Sequence, residues 1–110
     1  MGQYFVIANM DKKEFIDPHR FTCKEGETGF SMKLHHICRS RMAGVLVFLL
    51  TTSNYYRLMG SWGNDRILVV GDENTEYYDL YLDIIHKDEW RDISHEVAKE
   101  YFDFVSDCSA

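Results

Sequence analysis

The amino-acid sequence predicts an α+β domain, a small and mainly antiparallel sheet with two packed helices. Short runs of β-branched and aromatic residues alternate with polar turns, which is typical of short strands. Two longer segments, at about residues 41–52 and 95–107, carry the apolar residues expected of helices. Because 110 residues is close to the commonest domain size, we expect a single domain over residues 1–110.

The first strands are predicted at the beginning of the chain. Gln3–Ala8 is rich in β-branched and aromatic residues and is followed by a polar turn. Glu14–Ile16 can return as a short antiparallel partner, which Asp17-Pro18 ends. Met32–Ile37 fits a third short strand and fits a helix almost as well.

Two further strands are predicted in the second half of the chain. Ile67–Val70 is apolar throughout, which favours a central strand buried on both faces. Tyr77–Ile85 alternates loosely, and we interpret it as a strand with one wet face of acidic and aromatic residues.

The first helix is predicted over Arg41–Leu50, with Ser40 as its N-cap. Its apolar residues surround the helix, which indicates burial on all sides, and Gly44 suggests the close approach of another backbone. The final helix begins near His95, with Ser94 as N-cap, and has one apolar side.

The charge of the chain is divided unevenly. Residues 1–71 hold nine Lys/Arg and six Asp/Glu, whereas residues 72–110 hold three and twelve, so that nets of +3 and −9 give the overall −6. Aromatic residues lie among the acids of the second part, and such a surface can dock on a basic protein, with aromatic anchors and electrostatic steering. The predicted partner-binding residues are Glu76, Tyr77, Tyr78, Asp79, Tyr81, Asp83, Asp88, Glu89 and Trp90. Acidic residues that serve only solubility are the alternative.

Composition indicates the class and location of the protein. Three cysteines without paired spacing favour reduced thiols over a disulfide scaffold. The longest apolar run, Met42–Leu50, has nine residues, fewer than the roughly 20 that cross a bilayer. With no signal peptide recognisable at the N-terminus, we expect a cytoplasmic protein without a membrane partner, and no motif predicts a cofactor.

Two segments of the chain carry recognisable motifs. The first comprises Met1-Gly2-Gln3-Tyr4, Asp11-Lys12-Lys13-Glu14 and Asp17-Pro18-His19-Arg20-Phe21; the second runs from Gly60-Ser61-Trp62 through Asp65-Arg66-Ile67 to Gly71-Asp72. Together they resemble a family of small uncharacterised proteins of bacteria and their phages. The chain departs from the family pattern after Phe21, where it has Thr22-Cys23-Lys24, and at Tyr55–Met59. The resemblance implies a bacterial or phage context and no particular activity.

An alternative ligand site is predicted from two loops. Gly60 and Gly63 can place Trp62 at a loop tip, and Asp65 and Arg66 precede the strand Ile67–Val70. If the loop of His19 and Arg20 folds against them, His19 could act as a general base or bind an anion. A structural turn, in which Trp62 covers the core and Asp65 binds backbone amides, is the competing interpretation.

Metal and nucleic-acid sites are weakly indicated. His35, His36, Cys38 and Cys23 do not have the spacing of closed zinc sites, so no metal is predicted. Direct nucleic-acid binding is not favoured, because few basic residues are grouped and the net charge is −6.

Three functional hypotheses follow. The leading one is a non-enzymatic protein-protein interaction module that binds a basic surface, such as a phage-type inhibitor of a host nucleic-acid-binding defence complex. The alternative is a small enzyme or ligand-binding protein that uses His19, Arg20, Trp62, Asp65 and Arg66. A third is a homo-oligomeric structural module whose self-contact involves Tyr55, Tyr56 and Trp62.

Overall fold

The computed structural model describes residues 3–23, 26–73 and 77–109, with the side chains of residues 107–109 left out. Within these ranges the order of elements is β1 (Phe5–Asn9), β2 (Glu14–Ile16), a 3₁₀ turn (Pro18–Arg20), α1 (Leu34–Arg39), α2 (Arg41–Leu50), β3 (Ile67–Gly71), α3 (Tyr78–His86), β4 (Arg91–Asp92) and α4 (Ser94–Ser109). The predicted α+β class is confirmed, with four described α-helices instead of the two expected.

The four described strands form one sheet in the order β3-β1-β2-β4. Strand β1 pairs antiparallel with both β2 and β3, and only the short β4 runs parallel to its neighbour β2. The predicted hairpin of the first two strands is therefore confirmed. The prediction of a central position for Ile67–Val70 is wrong, because β3 lies at an edge of the sheet and both Leu68 and Val69 are exposed.

Each face of the sheet has its own apolar cluster. On one face, Ile7 and Ile16 pack in the main core that also includes residues of α2 and α4. On the other face, Val6, Ala8 and Val70 pack with Ile84 of α3. Burial of both faces explains why the middle of β1 is apolar throughout.

The segment predicted as a wet strand at Tyr77–Ile85 is instead helix α3. Ile84 and Ile85 lie one helical turn after Leu80 and Tyr81, and these four side chains belong to the apolar cluster on the sheet. That spacing gives a helix one apolar face, whereas a strand would direct neighbouring residues to opposite faces. The segment around Met32–Ile37 likewise forms helix α1 and not a strand.

Helix α2 has the predicted bounds, and Ser40 Oγ accepts a hydrogen bond from the Met42 N–H at 3.1 Å. The prediction that α2 is buried on all sides is wrong, because Val47 is 70% exposed. A Cβ at Gly44 would meet the Tyr101 hydroxyl at 2.8 Å, so the close neighbour is a side chain and not a backbone. Ser94 is the first residue of α4 and not its N-cap: its N–H donates to Asp92 Oδ1 at 2.9 Å, and its hydroxyl accepts the Asp17 N–H.

Candidate functional site

The acidic and aromatic residues predicted to bind a partner are displayed mainly by α3 and the segment after it. Asp79 and Asp83 are one turn apart on the helix, as are Tyr78 and Leu82, while the side that includes Ile84 is buried against the sheet. Tyr77 and Tyr78 are 42% and 46% exposed. The helix therefore presents aromatic and carboxylate groups on its outer side.

Two carboxylates of this surface have cationic partners within the chain. Asp83 pairs with Lys87 at 3.1 Å, and Glu89 pairs with Lys13 at 2.8 Å. The lysine ammonium holds the pKa of the Glu89 carboxyl below its usual range, mainly through the hydrogen bond. Asp79 and Asp88 form no ion pair with any described residue, so their charges are available to a partner.

Two predicted residues of this surface point partly inward instead. Tyr81 and Trp90 are half-buried and pack against the cluster beneath α3. Burial raises the pKa of the Tyr81 hydroxyl, and the nearby carboxylates of Asp72 and Asp17 raise it further. Of the other residues, Tyr77, Tyr78, Asp79, Asp88 and Glu89 are exposed and Asp83 is half-buried, and we call these six the α3 acidic face. Glu76 lies outside the described residues.

The structure does not unite the five residues of the alternative ligand site. Trp62 is fully buried, so the predicted loop-tip position is wrong. Its indole Nε1–H donates to Glu14 at 2.9 Å, and the other carboxylate oxygen of Glu14 accepts from Arg91 at 2.9 Å. The tryptophan therefore anchors the Gly60–Gly63 segment to the beginning of β2.

Asp65 and Arg66 belong to a network at the turn between β1 and β2. Asn9 donates to Asp65 at 2.8 Å, and Lys12 pairs with the same carboxylate oxygen. These hydrogen bonds, the one from Asn9 most, hold the pKa of the Asp65 carboxyl below its usual range. Arg66 pairs with Asp11 at 3.0 Å. Asp65 thus accepts from side chains and not from backbone amides as expected, and the N–H groups of Asp11 and Lys12 donate to Asn9.

His19 and Arg20 lie at the other end of β2, in the 3₁₀ turn that follows it. Arg20 pairs with Asp92 at 3.1 Å, and the Asp17 carboxylate accepts the His19 N–H at 2.9 Å. Burial raises the pKa of the Asp17 carboxyl, and the hydrogen bond from His19 opposes that rise. Strand β2 separates this turn from the Asp65 network.

A groove of about 490 Å³ lies beside this 3₁₀ turn. Its lining consists of His19, Arg20, Gly26, Glu27, Thr28, Asp92 and His95. The sequence did not predict that His95 lines this groove. His95 is 76 positions from His19, and only the folding of β4 and α4 against β2 brings the two residues together. Groups of both charge signs could bind a small polar molecule there.

The residues expected at a self-contact do not form one exposed surface. Tyr55 is exposed, whereas Tyr56 is half-buried against Phe48 and Phe104, and buried Trp62 cannot contribute to a surface. In the described part of the chain, no three His, Cys, Asp or Glu side chains are grouped to hold a metal ion. Among the same residues, no helix has the length and hydropathy needed to span a membrane.

Comparison of the chain with protein-family models, curated proteins and solved structures gives no match.

Proposed function

We propose that this protein is a small protein-binding module that docks on a basic protein surface through the α3 acidic face. The observation that carries the proposal is the exposure of Tyr77 and Tyr78 at the beginning of α3, together with the exposed carboxylates of Asp79 and Asp88, which form no ion pair with the described residues. Exposed tyrosines supply contact area and hydroxyls at low entropic cost, and carboxylates accelerate encounter with a cationic partner.

The packing of α3 on the sheet supports the same proposal. Its inner side is held by an apolar cluster on the sheet, so the outer side is presented on a rigid element. Neither Asp79 nor Asp88 is needed for an ion pair with the described residues. Such charges stabilise the monomer little, and their concentration on one surface is better explained by a partner than by folding.

In a finer form of the proposal, the target is a host nucleic-acid-binding complex in the cytoplasm, which the protein inhibits as a phage-type antagonist. The resemblance of its two sequence motifs to small bacterial and phage proteins motivates this form. A surface that binds a polyanion is itself basic, and an acidic protein face of matching shape competes for it. The inhibited complex should therefore lose nucleic acid when this protein binds.

The experiment compares two double variants with the same change in net charge. Asp79→Lys/Asp88→Lys reverses the α3 acidic face, and Glu27→Lys/Asp103→Lys reverses two exposed acids elsewhere. Partners captured from cell lysate by the unmodified protein are identified and purified, and their affinities for each variant are measured at low and high salt. We expect the first variant to bind at least about tenfold more weakly and the second to bind normally.

The same comparison can contradict the proposal. Equal loss in both variants would show that net charge alone drives capture, and equal binding by both would show that the partner uses another surface. Tyr78→Ala should also weaken binding, whereas Tyr55→Ala, which removes another exposed tyrosine, should not.

A further inference from the structure

Strand β3 is an exposed edge of the sheet. It pairs with β1 on one side, and no described strand lies on the other. Leu68 and Val69 are 39% and 41% exposed, and Ile67–Gly71 contains no charged residue or proline. Such residues are the usual protection of an edge against pairing with another strand, and their absence makes β3 suited to such pairing.

The hydrogen-bonding pattern shows which backbone groups of β3 are free. The Met10 N–H donates to Arg66 O at 2.8 Å, and the Asp72 N–H donates to Tyr4 O at 3.0 Å. In an antiparallel pair these bonds fall on alternate residues, so residues 66, 68, 70 and 72 bond to β1. The N–H and C=O groups of Ile67, Val69 and Gly71 therefore point away from β1.

The charges at the two ends of β3 are complementary to each other. Arg66 precedes the strand and Asp72 follows it. When β3 is placed antiparallel to a second copy about a two-fold axis at Val69, Val69 faces its own equivalent and Arg66 faces Asp72 of the other copy. In this register the outward-pointing residues of the two strands also face one another, Ile67 opposite Gly71.

We propose that the protein forms a symmetric homodimer by antiparallel pairing of β3 with β3 of a second copy. The two sheets then become one continuous sheet of eight strands. The Val69 residues exchange two hydrogen bonds, Leu68 of each copy lies opposite Val70 of the other, and two Arg66–Asp72 pairs close the ends. This surface adjoins the α3 acidic face, because Tyr77 lines a groove together with Leu68, Val69, Val70 and Gly71.

A second copy fits this edge better than an unrelated extended peptide. Any extended peptide could bond to the outward backbone groups. A second copy of β3, however, also brings its Asp72 opposite Arg66 and its Arg66 opposite Asp72 when the two strands run antiparallel. Asp72 also retains an oxygen for this contact, since Oδ1 accepts the Tyr4 N–H at 2.9 Å and Oδ2 has no partner among the described residues. Gly71 is buried, so pairing of Ile67 with Gly71 at each end requires a small displacement of the residues that cover Gly71. The central pair of Val69 residues is the more accessible contact.

The first test is sedimentation equilibrium of the full chain from micromolar to millimolar concentration. We expect a dimer whose dissociation constant rises about tenfold in either Arg66→Glu or Asp72→Lys, because each change makes two facing pairs repulsive. The double variant Arg66→Glu/Asp72→Lys should recover dimerisation. It restores opposite charges between copies without restoring the contacts of these residues with Asp11 and Tyr4, so a purely structural effect would not be reversed.

The second test is amide hydrogen exchange at low and high protein concentration. The N–H groups of Ile67 and Val69 should gain protection with dimerisation, whereas those of Leu68 and Val70 should be protected at all concentrations. Val69→Pro removes one outward N–H and no bond to β1, so it should abolish the dimer and preserve the fold, and Val69→Thr should remain dimeric.

Three outcomes would overturn the proposal. These are a monomer at millimolar concentration, a dimer in which the amides of Ile67 and Val69 gain no protection, and failure of the double charge variant to recover. Protection of those amides by an added peptide but not by self-association would instead identify β3 as a peptide-binding edge and would also refute the homodimer.

Discussion

Asn9 is the residue on which the turn between β1 and β2 depends. It is fully buried at the end of β1. Its side-chain oxygen accepts the N–H groups of Asp11 and Lys12, both at 2.9 Å, and its amide nitrogen donates to Asp65 at 2.8 Å. One amide thus shapes the turn and attaches it to the segment that leads into β3.

We predict that Asn9→Ala destabilises the protein by about 3 kcal/mol. The change removes three hydrogen bonds, each contributing roughly 1 kcal/mol, and leaves two backbone N–H groups to find water, while the Asp65 carboxylate keeps its ion pair with Lys12. For a domain of this size that loss lowers Tm by roughly 10–15 °C. Alanine itself fits the extended backbone of Asn9, so no strain adds to the effect.

Urea unfolding followed by tryptophan fluorescence measures this loss, because buried Trp62 reports on the same end of the sheet. Asn9→Asp is the matched control. Asp at position 9 can still accept the N–H groups of Asp11 and Lys12, but it places a second carboxylate against Asp65. At neutral pH this variant should be as unstable as Asn9→Ala, and in mild acid, where a carboxyl becomes protonated, it should recover part of the lost free energy of unfolding. A loss below about 1 kcal/mol in Asn9→Ala would contradict this prediction, because water and Lys12 would then satisfy the three groups as well as Asn9 does.

Two further predictions concern the segment before β3. Gly60→Ala should cost about 3 kcal/mol in urea unfolding, because Gly60 has φ +74° and a Cβ would meet Thr51 O at 2.5 Å. Gly26→Ala is its control, with φ +85° but open space, and should cost only about 1 kcal/mol. The lowered pKa of Asp65 stabilises the fold at neutral pH, and this contribution falls as pH drops from the pKa of the unfolded carboxyl through the folded one. Asp65→Asn should therefore lower stability at neutral pH and flatten its decline in acid; an unchanged pH profile would exclude this role.

Local sequence patterns determined much of the fold. The hairpin of β1 and β2 and the bounds of α2 follow from residues near one another in the chain, namely the polar turn and the Ser40 cap. The α+β class follows as well, because short β-type runs and two longer helical segments have few other arrangements. The acidic and aromatic composition of residues 77–92 was also evident from the sequence, and five of these acidic and aromatic residues are exposed: Tyr77, Tyr78, Asp79, Asp88 and Glu89.

Tertiary contacts decided the remainder. Residues 77–85 fit both a strand and a helix locally, and the apolar face of the sheet that Val70 and Val6 share selects the helix. The apolar run of β3 gave no sign that it would lie at an edge, since strand order depends on partners distant in sequence. Trp62 is buried because Glu14, 48 positions away, supplies the acceptor for its N–H. Sequence patterns report local periodicity, whereas burial and pairing are properties of surfaces that exist only after the chain has folded.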